Sequence, residues 1–419
     1  MQGAPIRARI EEIAAGGAGL ARVGGKSVFV EGSAPGETVI CRITEERRSW
    51  ALAELLEVAD ASPERVRPAC AFYGACGGCS LQHLSYPAQL AAKTAILKSA
   101  FARIGGFSPP EPAVLPSEPW EYRNRMQFHA VRQTGRRSPG ALFGLKARKS
   151  SEIVPVSDCP VADPGIRSLL GSRQASAPGS LFVSPAKDRV AVYARRGLLL
   201  SESGPSRGKT RILGKDLALD AGVFFQSNGA MLERLAADLR EIAARLAGAD
   251  RGPRAADLAP GELADEEAPL AGMPMADLYC GVGTFAAFLG EFFPRADLVE
   301  ESRPALALAR ENLARLGSAS FFAGRIEDWA KTADLRGYGL AVADPPRQGL
   351  AQGLARRLAQ SGPAALAYVS CDPATLARDS KALLASYELA QLRLYDFYPQ
   401  TAHIEALALF VRRGQPARH

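Results

Sequence analysis

Cys371 stands in Tyr368-Val369-Ser370-Cys371-Asp372-Pro373, directly after the apolar run 364–369. A short Val/Leu/Ala segment between Pro363 and Pro373 reads as a buried strand that delivers the thiol to the rim of a sheet, where α/β folds do their chemistry. A thiol so placed can add to an electron-poor carbon and later leave it. Cys41 and Cys280 lie inside apolar segments and read as core residues. Glu405 falls in the second of two apolar runs, 392–397 and 404–411, joined by a turn containing Pro399. The pair reads as a terminal hairpin beside the Cys371 strand. A carboxylate there is partly desolvated, so its pKa rises toward the range of a general base. His403 reads as a hydrogen-bonded or solvated side chain, and Arg378 and Asp379 as the start or face of a surface helix.

Two further segments place turns and acids at the same edge. Residues 275–280 read as a strand running into Gly281-Val282-Gly283, with an apolar helix start following Thr284 and Phe285; 338–343 reads as a strand ending in Asp344-Pro345-Pro346-Arg347. Glycines let the backbone approach a ligand closely. Glu300 lies about 20 residues beyond the loop, the spacing of an acid that accepts hydrogen bonds from ribose hydroxyls. The third glycine of a dinucleotide fingerprint is missing, so a nucleoside without phosphates, such as S-adenosylmethionine, fits better than a pyrophosphate. Asp372 sets a negative charge beside the thiol, which is expected to raise its pKa unless Arg347 or Arg378 compensates.

Cys70, Cys76 and Cys79, in Cys-x5-Cys-Gly-Gly-Cys, are joined by the distant Cys159 before Pro160. Four thiolates can hold zinc or an iron–sulfur cluster. Structural zinc more often shows two short cysteine pairs, whereas three clustered cysteines with a remote fourth favour a four-iron [4Fe-4S] cluster. An odd total of seven cysteines disfavours a disulfide framework.

These elements need a scaffold of two or three domains, which 419 residues can supply. No apolar run is long enough to span a bilayer, and residues 1–10 carry two arginines without an apolar stretch, so neither a membrane span nor a signal peptide is expected. Residues 1–62 alternate short β-type runs with Gly-rich turns and read as a small OB-like β-barrel. The formal charge is +7, and the whole excess lies in residues 1–150. It is densest in 122–149, where Arg123, Arg125, Arg132, Arg136, Arg137, Lys146, Arg148 and Lys149 interleave with Phe128 and Phe143. Phosphate contacts with aromatic platforms would give this composition, as would a solvated charged face. Residues 86–107 carry helical apolar spacing broken at Gly105-Gly106, and 248–272, rich in Ala, Pro, Asp and Glu, reads as a mobile insertion.

Five motifs in one order carry a resemblance. Phe224-Phe225-Gln226-Ser227-Asn228, the Asp277–Thr284 loop, Asp344-Pro345-Pro346-Arg347, Ser370-Cys371-Asp372-Pro373 with its continuation to Asp379, and Thr401-Ala402-His403-Ile404-Glu405 together resemble the RNA uridine-5-methyltransferase family over nearly the whole chain. The barrel resembles a TRAM domain. The resemblance implies an α/β fold: a doubly wound, Rossmann-like methyltransferase domain (86–115 and 221–419), an α+β central domain bearing the cluster (63–85 and 116–220), and the TRAM barrel (1–62). It implies Cys371 as nucleophile and Glu405 as base. Gln226, Tyr279, Thr284, Glu300 and Asp344 would line the S-adenosylmethionine site, and Cys70, Cys76, Cys79 and Cys159 would hold the cluster. Thr284 and Asp372 stand where relatives often carry Asn. The reaction expected is methylation of carbon 5 of a uridine in 23S ribosomal RNA, by a cytoplasmic monomer. The T-loop uridine of transfer RNA and a non-catalytic RNA-binding iron–sulfur protein are the alternatives. Because the target carbon lies in a stacked base, the nucleotide must be extruded, and Tyr398 and Phe224 are candidate partners for it.

Overall fold

The computed structural model describes residues 4–131, 142–175, 189–248, 270–351 and 353–414. Arg132, Arg136 and Arg137, and nearly all of the 248–272 insertion, lie outside them. The chain divides into two compact units, 1–96 with 116–204 and 398–403, and 97–115 with 205–397 and 404–419.

In the first unit, β1 (Ile6–Ile13), β2 (Gly19–Val23), β3 (Lys26–Val30), β4 (Thr38–Glu46) and β5 (Trp50–Asp60) close a barrel in the order β1-β2-β3-β5-β4. Its alternating pattern puts Ile10, Val28, Val30, Val39 and Cys41 inside. Buried Glu37 is satisfied by Arg65 and by the amide of Ala34 at 2.7 Å. Beyond the barrel, β7 (Arg125–Val131), β8 (Leu142–Lys146), β9 (Ile153–Pro155), β10 (Arg189–Arg195) and β11 (Leu198–Ser201) form a sheet in the order β11-β10-β7-β8-β9, covered by α2 (Pro164–Ala175). Phe128 and Phe143 lie in its core with ring centroids 5.0 Å apart. They are therefore packing residues, and the platform role open to them in the sequence is excluded. Helix α1 (Tyr86–Ala100) runs into a π-turn, Phe101–Gly105, that ends at Gly106 with φ 78°.

The second unit carries an eight-stranded sheet. Its strands are β6 (Ala113–Leu115), β14 (Met275–Leu278), β15 (Ala296–Glu300), β16 (Ala319–Ala323), β17 (Leu340–Ala343), β18 (Ala365–Ser370), β19 (Tyr387–Tyr395) and β20 (Glu405–Arg412), ordered β16-β15-β14-β17-β18-β20-β19-β6. The five strands from β16 to β18 are parallel, with both faces buried in β14, β17 and β18, as crossover helices require. Those helices are α4 (Thr284–Leu289), α5 (Arg303–Asn312), α6 (Ile326–Thr332), α7 (Leu354–Ser361) and α8 (Pro373–Leu383). A hairpin, β12 (Arg207–Ile212) with β13 (Lys215–Asp220), and α3 (Gly229–Leu246) lie between β6 and β14 in the chain. The winding reverses between β14 and β17, and the crevice at such a switch point is where open α/β sheets bind ligands.

Candidate active site

The switch point collects the acids. Asp277 lies within β14 and Asp344 directly follows β17. Asp277 is fully buried, its Oδ2 accepts the Ala286 amide at 2.9 Å, and its Oδ1 has no hydrogen-bond partner. Burial first, then the neighbouring Asp344 and Glu300 carboxylates, push it up to about 7. Asp344 is raised by burial, against the Gln226 amide 3.5 Å away. Glu300, ending β15, accepts the Gly281 amide at 3.0 Å and the Ser302 amide at 2.7 Å.

Between these strands the loop is built for close approach. Tyr279 sits at φ 60° and Gly283 at φ 77°, and a Cβ on Gly283 would lie 2.5 Å from Leu313 Cδ1. A non-glycine residue held in that region stores strain, which clusters at ligand sites. Thr284 opens α4 immediately after the turn. Gln226 adds a buried Oε1 that lacks a hydrogen-bond partner.

The reactive pair comes from the strands next in line. β18 and β20 run antiparallel with Ser370 opposite Ala406, so Cys371, just beyond β18, and Glu405, first in β20, share the next step at one end of the ladder. Glu405 is 2 % exposed, with Oε1 unpartnered. Burial and the Asp344 charge raise it well above the ordinary carboxylate range, and Arg347 opposes them. The Cys371 thiol, half-buried, is pushed up to about 12 by burial, Glu405 and Asp344, again against Arg347. Asp372 acts differently from the expectation for it. Its Oδ1 accepts the amides of Ala374 at 3.0 Å and Thr375 at 2.9 Å, capping α8. The acids raising the thiol are Glu405 and Asp344. Of the two arginines offered as compensation, Arg347 does so, whereas Arg378 is spent on Asp379, Gln348 O and Leu350 O.

Asp379 is not a surface residue either. It is 3 % exposed and accepts from Tyr368 Oη at 2.9 Å and the Leu350 amide at 2.8 Å, fixing the loop that follows Asp344-Pro345-Pro346. A single acid within the helix that follows the Cys371 motif gave no sign of this. The spacing that could have shown it is its place three residues after Leu376 and four before Leu383, on the buried face of the helix.

In the first unit the four cysteines sense one another. Burial raises the Cys79 thiol, with Cys76 and Cys70 adding to it; burial pushes Cys159 up to about 12, with Cys79 and Cys70 adding to it. The buried Arg123 guanidinium is near enough to feel the charge of Cys159 and Cys79. Among the described residues no three His, Cys, Asp or Glu side chains close into a metal-holding group. Of the basic stretch, Arg148 and Lys149 pair with Glu31 and so are partly committed within the protein. Phe224 is 61 % exposed in the second unit and Tyr398 belongs to the first.

The parallel sheet, its switch-point crevice and a strand-end thiol beside a buried acid define a nucleoside-binding methyltransferase class. Comparison with known proteins specifies it. Residues 1–56 match the TRAM domain model and residues 325–413 the model described as tRNA (Uracil-5-)-methyltransferase. The chain is 33 % identical to a protein of Acidithiobacillus ferrooxidans named 23S rRNA (uracil(1939)-C(5))-methyltransferase, over 97 % of this chain and 98 % of that one. It is 30 % identical to a Vibrio cholerae protein of the same name, over 97 % and 95 %. A solved structure, the Pyrococcus abyssi tRNA (uracil-54, C5)-methyltransferase in complex with S-adenosyl-L-homocysteine, superposes with a TM-score of 0.69 at 22 % identity, covering 97 % of this chain and all of that one, and so shares the fold. This chain belongs to the RNA uracil-5-methyltransferase family.

Proposed function

We propose that the protein methylates carbon 5 of a uridine in 23S ribosomal RNA through a covalent adduct of Cys371. The observation that carries the reading is the pairing of a strand-end thiol with a buried carboxylate at one end of the β18–β20 ladder. Carbon 5 of uracil is a weak nucleophile. Addition of the Cys371 thiolate at carbon 6 moves an electron pair into the ring and makes carbon 5 attack. S-adenosylmethionine, held by Gln226, Tyr279, Thr284, Glu300 and Asp344, supplies the methyl group. Glu405 then takes the carbon 5 proton, the carbon 5–carbon 6 double bond re-forms, and the thiolate is expelled. Arg347 is the nearby positive charge that favours both ionised groups. The unpartnered Oε1 of Gln226 and Oδ1 of Asp277, with the open glycine turn, suit a nucleoside ligand that brings donors.

Ribosomal RNA is favoured because the full-length relatives reported above carry that name and the TRAM barrel accompanies the cysteine set. Cys70, Cys76, Cys79 and Cys159 would hold a [4Fe-4S] cluster, which four soft thiols beside a desolvated guanidinium suit. The cluster would brace the 70–79 loops and take no part in methyl transfer. By role the chain divides into 1–62 for RNA binding, 63–85 with 116–220 for the cluster, and 86–115 with 221–419 for transfer, acting as a cytoplasmic monomer. Phe224 would stack on an extruded base. Among the described residues no helix is long and apolar enough to cross a membrane.

Mixing the protein with 5-fluorouridine-containing 23S transcript and S-adenosylmethionine tests the chemistry. Fluorine cannot leave carbon 5 as a proton does, so a denaturation-resistant protein–RNA complex should form with the wild type and vanish in Cys371→Ala. A complex that survives Cys371→Ala would reject the assignment.

A further inference from the structure

The loop 398–403 joins β19 to β20, both in the catalytic sheet, yet it packs with the cysteine-bearing unit. Its bonding there is dense. The Gln400 carbonyl accepts the amides of Ser80 at 3.0 Å and Leu81 at 2.9 Å, immediately after Cys79. The Gln400 amide donates to Gln89 Oε1 at 2.8 Å, and Gln89 Nε2 donates to Gln400 Oε1 at 3.0 Å. Lys93 Nζ reaches the Tyr398 carbonyl and Tyr122 Oη the Pro399 carbonyl, each at 2.9 Å. Gln400 itself is 4 % exposed and held at φ 68°, a conformation that a non-glycine side chain keeps only when its surroundings over-determine it.

None of these groups is among the residues assigned above to the reaction or to the cofactor. What they fix is the geometry of a six-residue loop whose next residues are Ile404 and Glu405. We propose that Gln400 and its partner Gln89 are positioning residues for Glu405: by fixing the loop 398–403 they set how the chain enters β20, and so where the base meets the carbon 5 proton. The inference rests on Glu405 being that base.

A misplaced base has a specific signature. Addition by Cys371 and methylation at carbon 5 proceed, but proton removal slows, so the methylated covalent adduct outlives its normal lifetime. With uridine-containing 23S transcript, Gln89→Ala and Gln400→Ala should each lower kcat by about a hundredfold, as a displacement of the order of 1 Å does, with KM little changed. Both should accumulate methyl-labelled, denaturation-resistant adduct, as Glu405→Gln should. With 5-fluorouridine transcript, where the base is not needed, both should trap RNA as fast as the wild type, which shows them folded and competent in addition. Two results overturn the positioning role while leaving the base assignment standing: wild-type turnover in both variants when Glu405→Gln traps adduct, or slowed turnover with equally slowed trapping of the fluorinated RNA. If Glu405→Gln itself accumulates no adduct, the base assignment falls and this inference with it.

Discussion

Cys371 and Glu405 face the same difficulty: each must ionise in surroundings that oppose it. Both are raised by burial and by one another's neighbourhood of acids, and Arg347 alone among the named causes lowers both. Arg347→Ala should therefore shift the acid limb of the kcat/KM profile to higher pH, because the thiolate and carboxylate then form later; a pH–rate profile on 23S transcript checks this. Glu405→Gln should abolish turnover and yet stabilise the protein at neutral pH. A folded-state pKa above the ordinary 4.5 means that the native state holds a proton the unfolded chain has lost, so stability drops as pH rises through that window. The gain in Tm should thus be a few degrees at pH 8 and should fade toward pH 4.5, as melting curves at the two pH values would show. The motif strings made Cys371, Glu405 and the crevice acids visible in the sequence, since apolar runs with a single polar residue at their end are rim positions. The field around them was not legible. Which acid raises the thiol depends on strand neighbours, and Asp344 and Glu405 are distant in sequence from Cys371 while Asp372 is adjacent to it.

At the level of elements, the turn from β18 into α8 shows how local chemistry frees a reactive residue. Asp372 at the N-cap with Pro373 at the first helical position fixes the helix start, and its carboxylate is consumed by two backbone amides. Asp372→Ala should cost about 1 kcal/mol of stability through the lost cap. Asp372→Asn, which can still cap, should retain both stability and pH profile; denaturant titration and the kcat/KM profile separate this from an electrostatic role, which would make the Asn variant shift its acid limb downward. The strand and helix identities near the motifs were readable because β17 and β18 are short Val/Ala/Leu runs bounded by proline. Phe128 and Phe143 were not readable: an aromatic beside arginines has the same pattern whether it stacks on a base or fills a core, and only the five-stranded sheet decides.

Across the whole molecule, chain order and spatial grouping part company. Residues 97–115 and 116–204 fall in different units although contiguous, and 398–403 groups with residues some three hundred positions earlier. Periodicity carries no information about such exchanges, which is why the doubly wound sheet could be expected and the home of the Gln400 loop could not. The cysteine set offers a test at this scale. If it holds a [4Fe-4S] cluster, protein isolated without oxygen should show broad sulfur-to-iron absorption and about four irons per chain, both lost in Cys79→Ser. Iron-free protein with one bound zinc would assign the set to zinc instead.

The most direct measurement is nucleoside mass analysis after incubating the protein with methyl-labelled S-adenosylmethionine and, separately, unmodified 23S ribosomal RNA and transfer RNA, alongside Cys371→Ala. The account predicts labelled 5-methyluridine from the ribosomal RNA alone, and none with the variant. Label confined to transfer RNA, or label from ribosomal RNA that persists in Cys371→Ala, would contradict it.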